Sequence, residues 1–361
     1  MRRRTFLSWA GASAAMAGSA QAGVPQEAEV KLTDRGRKPI RMHVGTQFGP
    51  TTPEMLQHFK RHGVDHICGY PPDPGEHGYW TVEDLEKTRD LCQAHGITLE
   101  MVALPFLTSS HIDREKRPAI MLGQSPERDQ DIEHIQKMIE HCAKAGIPAF
   151  KYNMSILGVL RTGTTPGRGG SRYSTWRLKE AKPPRPLTRA GRVTADIFWE
   201  RTTYFLDRII PVCNQHKVRA ACHPHDPGVP PDGYQEVDRV LGTVEGLKKF
   251  VSIQESPYHG LNLCLGTVAE MLDDPARQIH DVIRHFGERK KIFNIHRCRR
   301  GQAGIVLEVP RCGQDGGPRS QSSRSPRGLI TSSRTDIRLR LAGHQGARRC
   351  HRDTRADNTD R

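Results

Sequence analysis

Seven short apolar runs of β-type residues alternate with helical segments between residues 39 and 296, and that alternation restricts the fold more than any other feature of the chain. The runs fall at residues 39–48, 64–70, 97–104, 149–156, 218–222, 261–265 and 291–295. The intervening helices carry their own start and stop signals. Thr52 precedes Pro53 and the stripe Met55, Leu56, Phe59, with Gly63 as the stop. Thr81-x-x-Asp84 has the form of a capping box ahead of Val82, Leu85 and Cys92, and Gly96 closes that helix. Ile132, Ile135, Met138, Ile139 and Cys142 recur at helical spacing up to Gly146, and further helices are expected near 194–215, 244–253 and 276–286. Strand and helix in regular alternation build parallel βαβ units. Nothing after the first strand resembles a glycine-rich dinucleotide loop or a P-loop. The expected fold is therefore an α/β (β/α)8 TIM barrel spanning residues 39–296, incomplete because only seven strands are recognisable.

Three of these runs end on metal-ligand residues: His223 in CHPHDP, Cys264 in LNLCLGT and His296 in IFNIH. The C-terminal ends of parallel barrel strands open on one face, so residues 73 positions apart can meet around one ion. Imidazole and thiolate suit a borderline divalent cation. Any one of the three would read as an ordinary buried His or Cys. At the same place on consecutive βα units, they point to a metal centre.

The formal charge of +15 invites a nucleic-acid partner, but its distribution argues otherwise. Residues 297–361 carry fifteen Arg and no Lys against six acidic residues, a surplus of +9 that leaves +6 for residues 1–296. This Arg-, Ser-, Gly- and Pro-rich stretch has too few apolar residues to offset the entropy of ordering, and is expected to be a disordered basic tail. It could also be a nucleic-acid-binding arm or the product of a wrong reading frame. Arg without a single Lys, when residues 1–296 hold fifteen Lys, favours the frame error or a truncation. No specific nucleic-acid partner is expected. At the other end, Arg3-Arg4-Thr5-Phe6-Leu7, a mild apolar stretch and Ala20-Gln21-Ala22 make residues 1–22 a twin-arginine signal, with a polar linker at 23–38. That implies a periplasmic protein, or a cytoplasmic one if the signal is unused, without a membrane anchor. The nine cysteines include no CxxC pair, so no disulfide framework is expected.

The segments YWTVEDLEKTRDLCQAHGITLEMV, YNMSILGVLRT, FLDRIIPVCNQHKVRAACHPHDP, GLNLCLGTVAEM and KIFNIH together resemble the mannonate dehydratase family, from about residue 40 to His296. The resemblance implies a barrel of the xylose-isomerase type that uses Mn2+ or Fe2+ to dehydrate D-mannonate to 2-keto-3-deoxy-D-gluconate in hexuronate (glucuronate) catabolism. It also implies that His223, Cys264 and His296 are three of four metal ligands. The fourth, an Asp in a Pro-Asp-His element on the final strand, and the neighbouring His implicated in catalysis have no counterpart here. His225 stands where the family usually has Asp, and Asp226 keeps the second acidic position. Asp226 is taken as a catalytic group and His225 as a substrate contact.

Dehydration next to a carboxylate needs a proton removed, an acid for the departing hydroxyl and a clamp for the carboxylate. Residues 157–193 hold nine Lys plus Arg against the single Glu180, and would form a basic lid on the active-site face. Arg161 lies nearest the strand end and serves here as both catalytic and substrate-binding candidate. Asn153, ending the fourth strand, is a candidate for a sugar hydroxyl. The expected partner is a small sugar acid, and a homo-oligomer is compatible with such a barrel. Two alternatives are a sugar isomerase or epimerase of the same barrel group, whose sites are richer in carboxylates, and a non-catalytic truncated product.

Overall fold

The structure, a computed structural model, describes residues 43–182, 187–227 and 233–296. The expected signal, linker and basic tail, and the first four residues of the expected first strand, lie outside the described residues. In chain order the elements are β1 (Gly45–Thr46), α1 (Pro53–Arg61), β2 (His66–Gly69), α2 (Val82–Ala94), β3 (Thr98–Ala103), α3 (Ala119–Leu122), α4 (Glu127–Lys144) and β4 (Ala149–Asn153). There follow β5 (Gly163–Pro166), β6 (Arg172–Thr175), α5 (Ala195–His216), β7 (Arg219–His223), α6 (Val244–Ser252), β8 (His259–Cys264), α7 (Leu265–Glu270), α8 (Pro275–Glu288) and β9 (Ile292–His296).

The helices begin where side chains can satisfy their orphan N–H groups. The Thr81 hydroxyl accepts from Asp84 N at 3.2 Å while Thr81 N donates to Asp84 Oδ2 at 3.1 Å, a complete capping box at the start of α2. Thr52, Thr194 and Thr243 cap α1, α5 and α6 in the same way with one hydroxyl each.

Strands β1, β2, β3, β4, β7, β8 and β9 form one sheet in that order, and every neighbouring pair is parallel. The sheet curls. Asn262 on β8 donates to the Gln47 side chain beside β1 at 3.0 Å, although 215 residues separate them. The result is an incomplete TIM barrel of seven parallel strands. Outward-facing Ile67, Leu99, Val102, Phe150, Leu261 and Leu263 pack with Leu56, Leu85, Ile139, Phe205, Leu247 and Phe250 of the helices into the main core. Each such side chain contributes roughly 1.5–3 kcal/mol by leaving water. The inward face carries a smaller cluster of Cys68, Met101, Ala103, Ala149 and Ala221, with Tyr70 and Phe293 against it. Close approach is enforced at Gly260, where a Cβ would lie 2.6 Å from the Lys291 carbonyl and 2.8 Å from the Phe293 ring.

Two features depart from the sequence expectation. Of the described part of the first strand, residues 43–48, Gly45 and Thr46 join the ladder, and among the described residues β1 has a partner on one side alone. The basic loop 157–193 is more than a solvated lid, since β5 and β6 form an antiparallel hairpin inside it. That hairpin is anchored by Trp176, buried edge-on against Tyr234 at 5.3 Å.

Among the buried groups of the barrel wall, His259 makes stability depend on pH. Its ring is fully buried, Nδ1–H donates to the Ile253 carbonyl at 2.9 Å, and Phe250 meets it edge-to-face at 4.7 Å. Burial, reinforced by the nearby Lys291 ammonium, pushes its pKa from 6.5 down to about 4. The unfolded chain therefore takes up the proton first as pH falls. Stability contributed by the neutral ring is complete above pH 6.5 and is lost progressively towards about pH 4, by at most about 3 kcal/mol. Urea unfolding across that window should show the slope in the parent and a shallower one in His259→Asn. Equal slopes would contradict the assignment.

Candidate metal centre

Strands β7, β8 and β9 each end on one of the three ligand-type residues, His223, Cys264 and His296. Parallel register sets Cys264 beside His296 and His223 beside Asn153. One donor atom from each of His223, Cys264 and His296 lies within 4.8 Å of the others. The tautomer of His223 follows from its neighbour. A carbonyl can only accept, so Nδ1, 2.7 Å from Pro224 O, carries the proton, and Nε2 presents its lone pair. That Nε2 is 3.3 Å from His296 Nδ1. Two nitrogens on one tetrahedral zinc-like ion at 2.0–2.1 Å would sit about 3.4 Å apart, so the donors fit a divalent cation.

Cys264 differs from the other thiols. Burial pushes Cys68, Cys142 and Cys222 up to about 12, which leaves them inert packing groups. Cys264 is equally buried, but its sulfur accepts from the Thr267 hydroxyl at 3.2 Å. Burial alone would lower the His223 pKa, yet the hydrogen-bonded Cys264 sulfur and the Asp226 carboxylate outweigh it and hold the imidazole above its ordinary value.

Asp226 is largely enclosed beside this cluster, with Arg161 Nη1 at 3.8 Å from its Oδ1. Burial raises the Asp226 pKa, and Arg161 and His223 oppose that rise. Arg239, which the sequence did not single out, is 4% exposed and donates to Pro227 O at 3.2 Å. Burial brings its guanidinium down to about 10, against the pull of Asp226 and Glu270. The floor beneath the site is polar as well. Lys151 Nζ donates to the Tyr70 hydroxyl at 2.7 Å, Tyr70 donates to Gln47 O at 2.8 Å, and Asn294 donates to Asn262 Oδ1 at 3.1 Å. A cleft of about 770 Å³ opens at the ends of β1 and β2, but its lining includes none of the three ligands, so the chemistry is located by the donors and not by this cleft.

The sequence model of the D-mannonate dehydratase (UxuA) family matches residues 40–181 and 177–317. The chain belongs to this family. The mannonate dehydratase of Thermotoga neapolitana is 27% identical over 268 residues, covering 65% of this chain and 69% of that one. Mannonate dehydratase 2 of Halalkalibacterium halodurans is 26% identical over 275 residues, covering 69% and 75%. The crystal structure of mannonate dehydratase from Streptococcus suis serotype 2 superposes with a TM-score of 0.59 at 22% identity, over 71% of this chain and 73% of that one, and shares its fold.

For this member of the mannonate dehydratase family, one expected site residue moves out of the site. His225 is 3% exposed, its Nε2–H donates to Met154 O at 2.6 Å, and its ring stands edge-on to Phe198 at 5.1 Å. Burial drives its pKa well below the ordinary histidine value. It packs in the barrel wall. The turn after β7 ends the strand's alternation, so His223 and His225 face different surroundings. Asn153 remains beside His223, and Asp226 and Arg161 remain together. Arg239 sits among the apolar Val237, Val240 and Leu241, and its own charge is what argued against burial.

Proposed function

We propose that this chain dehydrates D-mannonate to 2-keto-3-deoxy-D-gluconate, a step of hexuronate breakdown, using Mn2+ or Fe2+ held by His223, Cys264 and His296. The observation that supports this most directly is the convergence of those three donors at the ends of β7, β8 and β9, beside the Arg161–Asp226 pair. When bound, the cation would supply Lewis-acid stabilisation of the charge that develops next to the substrate carboxylate.

The chain's own groups do the rest. Arg161 offers its guanidinium to the substrate carboxylate, and Asn153 hydrogen-bonds a sugar hydroxyl. Asp226 moves a proton at Oδ1, an oxygen with no hydrogen-bond partner among the described residues. In the reaction the C2 proton leaves, the C3–O bond breaks, the hydroxyl departs as water, and the resulting enol tautomerises to the 2-keto acid. Two proton-transfer groups are needed. Family resemblance assigns the second to a His beside the fourth ligand, on a final strand that is not among the described residues. The chain as written is accordingly proposed to be slow. The same reading has the twin-arginine segment export the folded, metal-loaded protein to the periplasm.

The test is mass-spectrometric detection of 2-keto-3-deoxygluconate after incubating the full chain with D-mannonate and Mn2+ under reducing conditions. Slow formation that stops on chelation is expected. No product from either this chain or a version with a restored last strand would refute the proposal.

A further inference from the structure

A second cluster sits at the opposite, N-terminal end of the strands. His66 opens β2 and pairs in register with Gly45 and Thr98, and His43 lies two residues before β1. On β3 the register slips between Ile67 and Cys68. Leu99 faces Ile67 and Met101 faces Cys68, which leaves Glu100 as an extra residue without a partner on β2. Such a bulge re-aims a side chain, and here it turns Glu100 onto both imidazoles. His43 Nδ1 is 2.5 Å and His66 Nδ1 3.1 Å from the same oxygen, Glu100 Oε1. The two rings stack with centroids 3.7 Å apart and planes 13° apart, and one donor atom from each residue lies within 4.8 Å of the others.

We propose that His43, His66 and Glu100 form a second divalent-cation site, separate from the thiolate-containing centre and suited to a borderline ion such as Zn2+. Two imidazoles and one carboxylate are a common zinc donor set, and the remaining positions are left to water. The side chains are partly open to solvent, so an ion can enter from bulk. The site has a structural use. Among the described residues β1 contributes Gly45 and Thr46 to the ladder and lies at the sheet edge. One ion bonded to residues before β1, on β2 and on β3 would tie that edge down. Because the three donors meet only in the folded chain, the ion stabilises it by mass action.

Cobalt(II) separates the two sites, since only a thiolate ligand gives a sulfur-to-cobalt charge-transfer band. The full chain carrying Cys264→Ala should still bind Co2+, without that band, and Zn2+ should displace it and raise the unfolding temperature. Adding Glu100→Gln, with or without His43→Gln, should weaken this binding by at least about 100-fold, since loss of even an outer-shell partner costs 10–100-fold. Glu100→Gln in the parent should keep the charge-transfer band. The proposal is overturned if Cys264→Ala binds no Co2+, or if Cys264→Ala combined with Glu100→Gln binds it as tightly as Cys264→Ala alone. Should His43→Gln fail to fold by circular dichroism, Glu100→Gln, at a partly exposed position, decides the matter alone.

Discussion

A chain whose residues after His296 are replaced by a final strand carrying the family's Pro-Asp-His element is expected to dehydrate D-mannonate about 10²–10⁴-fold faster than the present chain, the range typical for one acid/base group. Among the described residues β9 pairs only with β8 and β1 only with β2, so the curled sheet has two one-sided edges. A strand between them would add a neighbour to both, and by family resemblance would bring a carboxylate ligand and the neighbouring His to the end where His223, Cys264 and His296 meet. The same strand would cover two edges that otherwise invite intermolecular pairing, so the extended chain should also aggregate less. The measurement is initial rate with saturating Mn2+, alongside light scattering. Equal rates from the two chains would show that the residues after His296 do not limit catalysis.

The barrel was legible because its signals are local and repeated. Most strands of the barrel are short apolar runs, most of the helices between them have a Thr cap or a stopping Gly, and a general rule about strand ends then turns a one-dimensional pattern into a shared face. That is how His223, Cys264 and His296 could be grouped before any coordinates. What escaped depends on departures from regular periodicity. His225 stands two residues after His223, but the turn that follows β7 takes its ring into the wall against Phe198 and Met154. Glu100 faces His66 only because a bulge shifts the register, and no residue type in TLEMVA announces a bulge. Arg239 is buried although it is charged, carried inside with its apolar neighbours Val237 and Leu241. The hairpin β5–β6 was hidden because its Thr-, Gly- and Arg-rich strands lack an apolar face, and Trp176 just after it packs against Leu160 and Tyr234.

Cys264→Ala is expected to remove the ion from the catalytic end while leaving the fold in place. The thiol is fully buried, yet what it loses on truncation is modest: one sulfur's packing, the hydrogen bond from Thr267 and its interaction with His223. A cost of about 1–2 kcal/mol follows, too little to unfold a domain of this size. Metal affinity responds far more strongly. A first ligand outweighs the outer-shell partners whose loss already weakens binding 10–100-fold, so the fall should exceed about 100-fold and turnover of the strand-restored chain should fall with it. Cys142→Ala is the matched control, because that thiol is just as buried on α4 but is raised to about 12 by burial alone. Both variants should lose similar stability in urea, and only Cys264→Ala should lose the sulfur-to-cobalt charge-transfer band and the dehydration activity. If Cys264→Ala keeps both, Cys264 is a packing residue like the others and the centre must be sought elsewhere.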